Sequence, residues 1–164
     1  MDLPADVDVR CSVIVFRADA VLLVHRARAG DWVLPGGTPR PGESMASCAR
    51  RETLEETGLA VDPARIAFIA EARGPGPGRR TVDLVFLAAP GVHGQLEPRE
   101  PGLKARFIAL DSLPGMEIRP PLAGYLRALH AAGGEPTAPY LGNLWRPRRD
   151  QDMPAAVTTV APDE

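Results

Sequence analysis

A chain of 164 residues with 45% hydrophobic content is long enough for one domain with a sizeable core. Its formal net charge of −2 argues against a general nucleic-acid or membrane-surface binder, whose footprint would be basic. With no basic-then-apolar leader and no apolar run near the roughly 18 residues of a membrane span, a cytoplasmic protein without membrane association is expected.

Residues 1–8 are acidic and read as frayed. Val9–Arg17 and Ala20–Arg26 predict two strands joined in a hairpin at Ala18-Asp19, and their near-continuous apolar character predicts a sheet covered on both faces. Two readings stand for Arg26: a phosphate contact, or a charge on a solvated edge. Asp31–Leu34 is a short strand in which Trp32 either packs on the core or stacks on a nucleobase. Cys11 and Cys48 lack metal-ligand spacing and read as free thiols in a reducing cytosol.

The stretch from Leu34 to Leu59 organises the rest. It opens on a Pro35-Gly36-Gly37 turn and a second turn at Pro41-Gly42. A helix is predicted from about Glu43 to Gly58, a residue suited to ending it in the left-handed conformation. Glu52, Glu55 and Glu56 stand at i, i+3 and i+4 and share one helix face, while Ala46, Ala49 and Thr53 make a small stripe that can lie close to a sheet. Three like charges on one face repel, and Arg50 and Arg51 are not interleaved to relieve them. A solvated acidic face is the plain alternative. Hard divalent cations take oxygen ligands, so carboxylates clustered behind a Gly-rich turn point to a metal-bound phosphate site.

These residues resemble the Nudix box, G-x5-E-x7-R-E-U-x-E-E-x-G-U, where U is a bulky aliphatic residue. Gly37, Glu43, Arg51, Glu52, Glu55, Glu56, Gly58 and Leu59 occupy its fixed positions; Thr53 stands where the family usually has an aliphatic residue. The resemblance implies an α/β/α sandwich, with a mixed β-sheet between the box helix and a C-terminal helix. It also implies Mg²⁺ (or Mn²⁺) held by Glu52, Glu55, Glu56 and the Gly37 carbonyl, with Arg51 orienting the acids and Glu43 pairing with that arginine.

After the box, Arg65–Arg73 and Thr81–Ala89 predict a hairpin with a Gly/Pro-rich basic tip, where Arg79 and Arg80 are either solvated charges or a clamp on a polyanionic substrate. The loop Pro90–Leu103 carries Glu97 and Glu100. Nudix enzymes often place a further acid in an equivalent loop, and Glu100 is the preferred candidate for that role, with Glu97 the alternate. Lys104–Leu110 predicts a strand. Pro120–Ala132 predicts an amphipathic helix whose Leu122, Tyr125, Leu126 and Leu129 read as core. One domain over residues 1–132 is therefore expected. Beyond it, residues 133–149 form a Pro/Gly-rich extension whose Tyr140, Leu141, Leu144 and Trp145 predict packing on the domain or on a second subunit in a homodimer. Residues 150–164 read as a disordered tail.

The resemblance implies a pyrophosphohydrolase acting on a small-molecule nucleotide: a nucleoside diphosphate linked to another moiety, such as a nucleotide sugar or ADP-ribose, or a nucleoside triphosphate. Pro75 stands sixteen residues past Leu59, as in many ADP-ribose pyrophosphatases, but it lies in a Pro-Gly repeat where such a match carries little. Whether Glu52 or a loop acid accepts the proton from water is left open by the box. The alternative is a non-catalytic Nudix-fold nucleotide-binding or regulatory module, a reading that an intact box disfavours.

Overall fold

The computed structural model describes residues 6–136 and 138–147. The expected frayed residues 1–5 and the expected tail 150–164 lie outside the described residues, as do Arg148 and Arg149. In chain order the elements are β1 (Val7–Ile14), β2 (Phe16–Arg17), β3 (Ala20–Arg26), β4 (Asp31–Val33), β5 (Gly36–Gly37), α1 (Met45–Thr57), β6 (Leu59–Ala60), β7 (Pro63–Arg73), β8 (Arg80–Ala88), β9 (His93–Gly94), β10 (Leu103–Ala109), a 3-10 turn (Leu110–Gly115), α2 (Ala123–Ala131) and β11 (Tyr140–Asn143).

The architecture is the expected mixed α/β one, with parallel and antiparallel pairings. Its strands divide into a five-stranded sheet in the order β11-β7-β8-β1-β5, a second sheet β10-β3-β2 with β4 also on β3, and a small pair β6-β9. The predicted long first hairpin is corrected by this division. β1 pairs with β8 in one sheet, the chain crosses at Val15, and only Phe16 and Arg17 pair back onto β3. Val7 and Asp8, expected to be frayed, already lie in β1 opposite Arg80 and Thr81.

Period-two alternation sorts the side chains into two cores. Cys11, Val13 and Phe86 face α1 and pack with its Cys48 and Ala49. Ile14, Val85 and Phe68 face the other way, onto Leu122, Leu126 and Leu129 at α2. Both faces of the sheet are thus covered, which is why its strands read as nearly continuous apolar runs. α2 starts three residues later than predicted, after Pro120 and Pro121, with Leu122 as its N-cap.

Burial raises the pKa of both free cysteines, Cys11 to about 12, so these thiols stay protonated and unreactive. Among the described residues no helix is long and apolar enough to cross a membrane.

Candidate metal and phosphate site

The Gly-Gly turn is a strand edge as well as a turn. β5 lies against β1 with Cys11 opposite Gly37 and Ser12 opposite Gly36, and the Val13 amide donates to the Pro35 carbonyl at 2.9 Å. A Cβ on Gly36 would run into the backbone of Cys11 and Ser12, and one on Gly37 would run into the Glu52 carboxylate. Glycine at both positions lets the strand sit within reach of the helix acids.

Ser44 caps α1, its Oγ accepting from the Ser47 amide at 3.1 Å. At the far end Gly58 takes the left-handed conformation (φ 79°), and its amide donates to the Leu54 carbonyl at 2.9 Å. Thr53 is fully buried at the usually aliphatic box position. Its hydroxyl is satisfied by the Ala49 carbonyl at 2.8 Å, so it packs as a β-branched residue without an orphaned polar atom.

Along the helix, Arg51 organises the acids. Its Nε and Nη2 donate to the two Glu43 oxygens at 2.8 and 2.9 Å, while Nη1 lies 2.6 Å from Glu52 and 3.3 Å from Glu55. That grip holds the Glu43 carboxyl well below the usual range, at about 2.

The loop after β9 is tied to the helix end by two backbone bonds, Glu97 N to Thr57 O and Arg99 N to Glu55 O, both 2.9 Å. They deliver Glu100 to the acids on the helix. One ligand oxygen each from Glu52, Glu55 and Glu100 lies within 4.8 Å of the others, Glu52 and Glu55 half-buried and Glu100 exposed. Three carboxylates at this separation, open to water on one side, form a donor set that fits a hard divalent cation.

Glu56 is directed differently from its neighbours. It accepts from the Gly36 amide at 2.8 Å, and withdrawal from water pushes its carboxyl up to about 7 against the opposing pull of that amide and of Arg10. The Gly37 carbonyl accepts a weak bond from the Cys48 thiol at 3.5 Å.

The other sequence candidates are not brought to the acids. Arg26 is forked onto buried Asp31 at 2.7 and 2.6 Å, a cross-strand pair between β3 and β4 that occupies its guanidinium. Arg79 is exposed and bound to Asp8 at 2.6 Å, and Arg80 pairs with Glu71 at 3.5 Å; both sit at the hairpin entry, where these acids neutralise them. Trp32 is half-buried against the α2-side core and tilted onto His25, with ring centroids 4.9 Å apart.

Sequence reasoning missed Arg10, Ser12, Asp83 and Arg119. Arg10 and Asp83 are direct neighbours in the parallel β1–β8 register. The Ser12 hydroxyl lies 2.8 and 2.9 Å from the Asp83 oxygens, and Arg10 donates to the Leu34 carbonyl at 2.9 Å, just ahead of the Gly-Gly turn. Burial raises the Asp83 pKa. The signal was present as polar residues interrupting two apolar strands. Arg10 and Asp83, with Arg26 and Arg119, line a cleft of about 160 Å³. A larger cavity of about 810 Å³ opens at the opposite ends of β1 and β8, between Phe16, Leu87 and His130, and no box acid lines it.

Compared with known proteins, residues 7–129 match the NUDIX domain. The chain is 38% identical over 82 residues to human 8-oxo-dGDP phosphatase NUDT18, covering 48% of this chain and 24% of that protein. It is 32% identical over 123 residues to the NAD-capped RNA hydrolase NudC of Stutzerimonas stutzeri, covering 73% of this chain and 43% of that one. It therefore spans less than half the length of either. Mouse oxidized purine nucleoside triphosphate hydrolase is 31% identical over 66% of this chain and 70% of its own. Among solved structures, a MutT NUDIX hydrolase from Burkholderia pseudomallei superposes with a TM-score of 0.59 at 29% identity, over 65% of this chain and 85% of that one. A NUDIX hydrolase from Nitrosomonas europaea, at 24% identity, shares the fold with a TM-score of 0.67 over 79% of this chain and 91% of its own. The chain belongs to the Nudix hydrolase family.

Proposed function

We propose that this protein is a Mg²⁺-dependent pyrophosphohydrolase that cleaves the phosphoanhydride of a nucleoside diphosphate linked to a further group, with Mn²⁺ as an alternative ion. The observation that carries the reading is the convergence of Glu52, Glu55 and Glu100 within 4.8 Å beside a turn too tight for any Cβ. The substrates named for the relatives, 8-oxo-dGDP, NAD-capped RNA and oxidised purine nucleoside triphosphates, support a substrate with linked phosphates on a nucleoside.

A phosphoanhydride resists water because its negative oxygens repel the nucleophile. A bound divalent cation supplies neutralisation of that charge and makes a nearby water a better nucleophile. The chain's own residues do the rest. Glu55 and Glu56 would hold the ion together with one of Glu52 and Glu100; Arg51 and Glu43 fix the rotamers of the acids; the Gly36 amide restrains Glu56. One acid accepts the proton from the attacking water, and this reading gives that role to whichever of Glu52 and Glu100 does not hold the ion. The P–O bond of the anhydride breaks, releasing a nucleoside monophosphate and a phosphorylated remainder, or pyrophosphate from a triphosphate. Arg79, Arg80 and Arg26 have no part in this reading.

The test is to incubate the protein with Mg²⁺ and a panel of nucleoside triphosphates, nucleotide sugars and dinucleotides, and to follow monophosphate release. Turnover of at least one that is abolished by a chelator supports the proposal. Tight binding without turnover would make the protein a nucleotide-binding module instead.

A further inference from the structure

Two adjoining clefts lie on the α2 face of the sheet. The first, of about 160 Å³, is lined by Arg10, Asp83, Glu71 and Arg119; the second, of about 210 Å³, by Arg119, Leu144, Trp145 and Arg146. They share Ala72, Arg119 and Pro120, and so form one trough. Its inner end reaches the acidic site through Arg10, which holds the Leu34 carbonyl and acts electrostatically on Glu56.

The outer wall is made by the C-terminal extension, which is fastened at several points. β11 pairs in parallel with β7, and the Leu144 amide donates to the Glu71 carbonyl at 2.8 Å. Asn143 accepts from the Arg73 and Trp145 amides at 3.0 and 3.1 Å and donates to the Arg73 carbonyl at 3.0 Å, which turns the chain after the strand. Arg119 then latches the end, its guanidinium donating to the Arg146 and Pro147 carbonyls. The Trp145 indole lies over Gly74, where an added Cβ would stand 3.1 Å from its Nε1.

We infer that residues 140–147, through Trp145 and the Arg119 latch, form the specificity wall of the substrate site and hold the planar heterocycle of the nucleotide. The inference rests on the proposed nucleotide hydrolysis. Charge decides between a heterocycle and a phosphate as occupant. Three arginines along the trough already face a carboxylate, Arg119 with Glu117 at 2.6 Å, Arg26 with Asp31 at 2.6 Å and Arg10 with Asp83 at 3.7 Å, as does neighbouring Arg80 with Glu71 at 3.5 Å; Arg146, at the outer end, donates to the Trp145 carbonyl at 2.7 Å. Around Arg10, Arg26 and Arg119 the charge is thus balanced, and this part of the trough offers little to a dianion. A heterocycle needs both donors and acceptors at its edge and a flat surface at its face. Here the Arg119 Nε is buried with no hydrogen-bond partner among the described residues, Asp83 and Glu71 supply acceptors, and Trp145 supplies the flat surface.

The experiment uses the full chain and the variants Trp145→Ala, Trp145→Phe and Arg119→Lys. With Mg²⁺, kcat/KM for nucleoside triphosphates is divided by that for inorganic tripolyphosphate, which has no base. The ratio is expected to fall about tenfold in Trp145→Ala, as for loss of one stacking partner, and to recover in Trp145→Phe. Without metal, calorimetric titration compares nucleoside monophosphates with ribose 5-phosphate. Wild type is expected to prefer the monophosphates, and Trp145→Ala and Arg119→Lys to lose that preference. If wild type turns over no nucleotide, the hydrolase reading fails, while the metal-free titration still decides the wall. An unchanged ratio and preference in all variants would overturn the inference. So would ribose 5-phosphate binding as tightly as the monophosphates in wild type, which would put a phosphate in the trough. Should Trp145→Ala fail to fold, Arg119→Lys carries the comparison, and a wild-type preference for monophosphates in that variant overturns the inference.

Discussion

Arg51 grips both carboxylate oxygens of Glu43, at 2.8 and 2.9 Å, from a position eight residues along the chain. The fork leaves Nη1 aimed at Glu52 at 2.6 Å, so one guanidinium sets the placement of two acids. A lysine keeps the charge but has no planar fork to satisfy both partners. Arg51→Lys is therefore expected to lower metal affinity and activity by about 10–100-fold, as for other groups that orient ligands. Calorimetric titration with Mn²⁺ alongside steady-state rates checks this; wild-type values in both would remove Arg51 from its orienting role.

Neutralising an acid of the proposed metal shell is expected to be harsher. Glu55→Gln and Glu56→Gln should each lose at least about 100-fold in rate, the scale on which charge stabilisation of a phosphoryl-transfer transition state is felt. Near-normal rates in both would place the chemistry elsewhere on the protein.

The two loop acids separate cleanly. Glu100 meets Glu52 and Glu55, whereas Glu97 is outside that group and lines a shallow pocket with Gly58 and Arg99. Glu100→Gln is expected to cut kcat by about 10-fold or more, in the range of a lost general base, while Glu97→Gln stays within about 2-fold of wild type. The reverse order would reassign the loop acid. Should both variants leave kcat intact, neither loop acid is the proton acceptor and Glu52 remains as the candidate.

Gly58 joins the helix to this loop. An alanine there would be held at φ 79°, with its Cβ 2.5 Å from the Gln95 carbonyl oxygen and 2.8 Å from that of Glu97. The left-handed conformation alone costs about 1 kcal/mol for a residue with a Cβ, and the clash adds to it. Gly58→Ala is expected to lower the melting temperature by about 5 °C or more and to reduce activity through displacement of Glu100. Scanning calorimetry reads the first effect, and an unchanged melting temperature would contradict the clash.

Glu56 gives a pH signature in the metal-free protein. Its folded pKa, about 7, lies above the unfolded model value of 4.5, so the folded state binds the extra proton between those values. The associated stability is fully present below about pH 4.5 and is lost as pH rises through 7, with an upper limit of about 3 kcal/mol. In the presence of a chelator the melting temperature is expected to fall between pH 5 and 8, and Glu56→Gln to flatten that part of the curve. Adding Mg²⁺ should stabilise the protein more at pH 8 than at pH 5.5. A wild-type curve no steeper than that of Glu56→Gln would refute the assignment.

How much was legible in the sequence follows from the range of the contacts involved. The helix, its left-handed stop and the shared face of Glu52, Glu55 and Glu56 depend on neighbours within one or two turns, and periodicity reports these directly. The two-sided core was visible because strands covered on both faces cannot alternate with polar residues. The break at Val15 was not visible, because apolar residues on both sides of it suit either sheet. For Arg26 the sequence left a phosphate contact and a solvated edge both open, because nothing local reveals that Asp31 lies opposite it across a strand pair. Arg10 and Asp83 lie 73 residues apart, and only the parallel register makes them neighbours. Glu100 was separable from Glu97 only once backbone bonds to Thr57 and Glu55 fixed the loop.

The short fifth strand laid on β7 has one more consequence. An uncovered run of amides and carbonyls along the eleven residues of β7 would be a template for a second copy of the chain. β11 masks part of that run with only four residues, and Gly142 at φ 70° interrupts its register, so it makes a poor template itself. At the other border β5 has two residues. In the second sheet the seven-residue outer strand β10 bears Lys104 and Arg106, charges that oppose strand addition. β11 thus leaves a shorter stretch of the β7 border open to strand addition by a second copy.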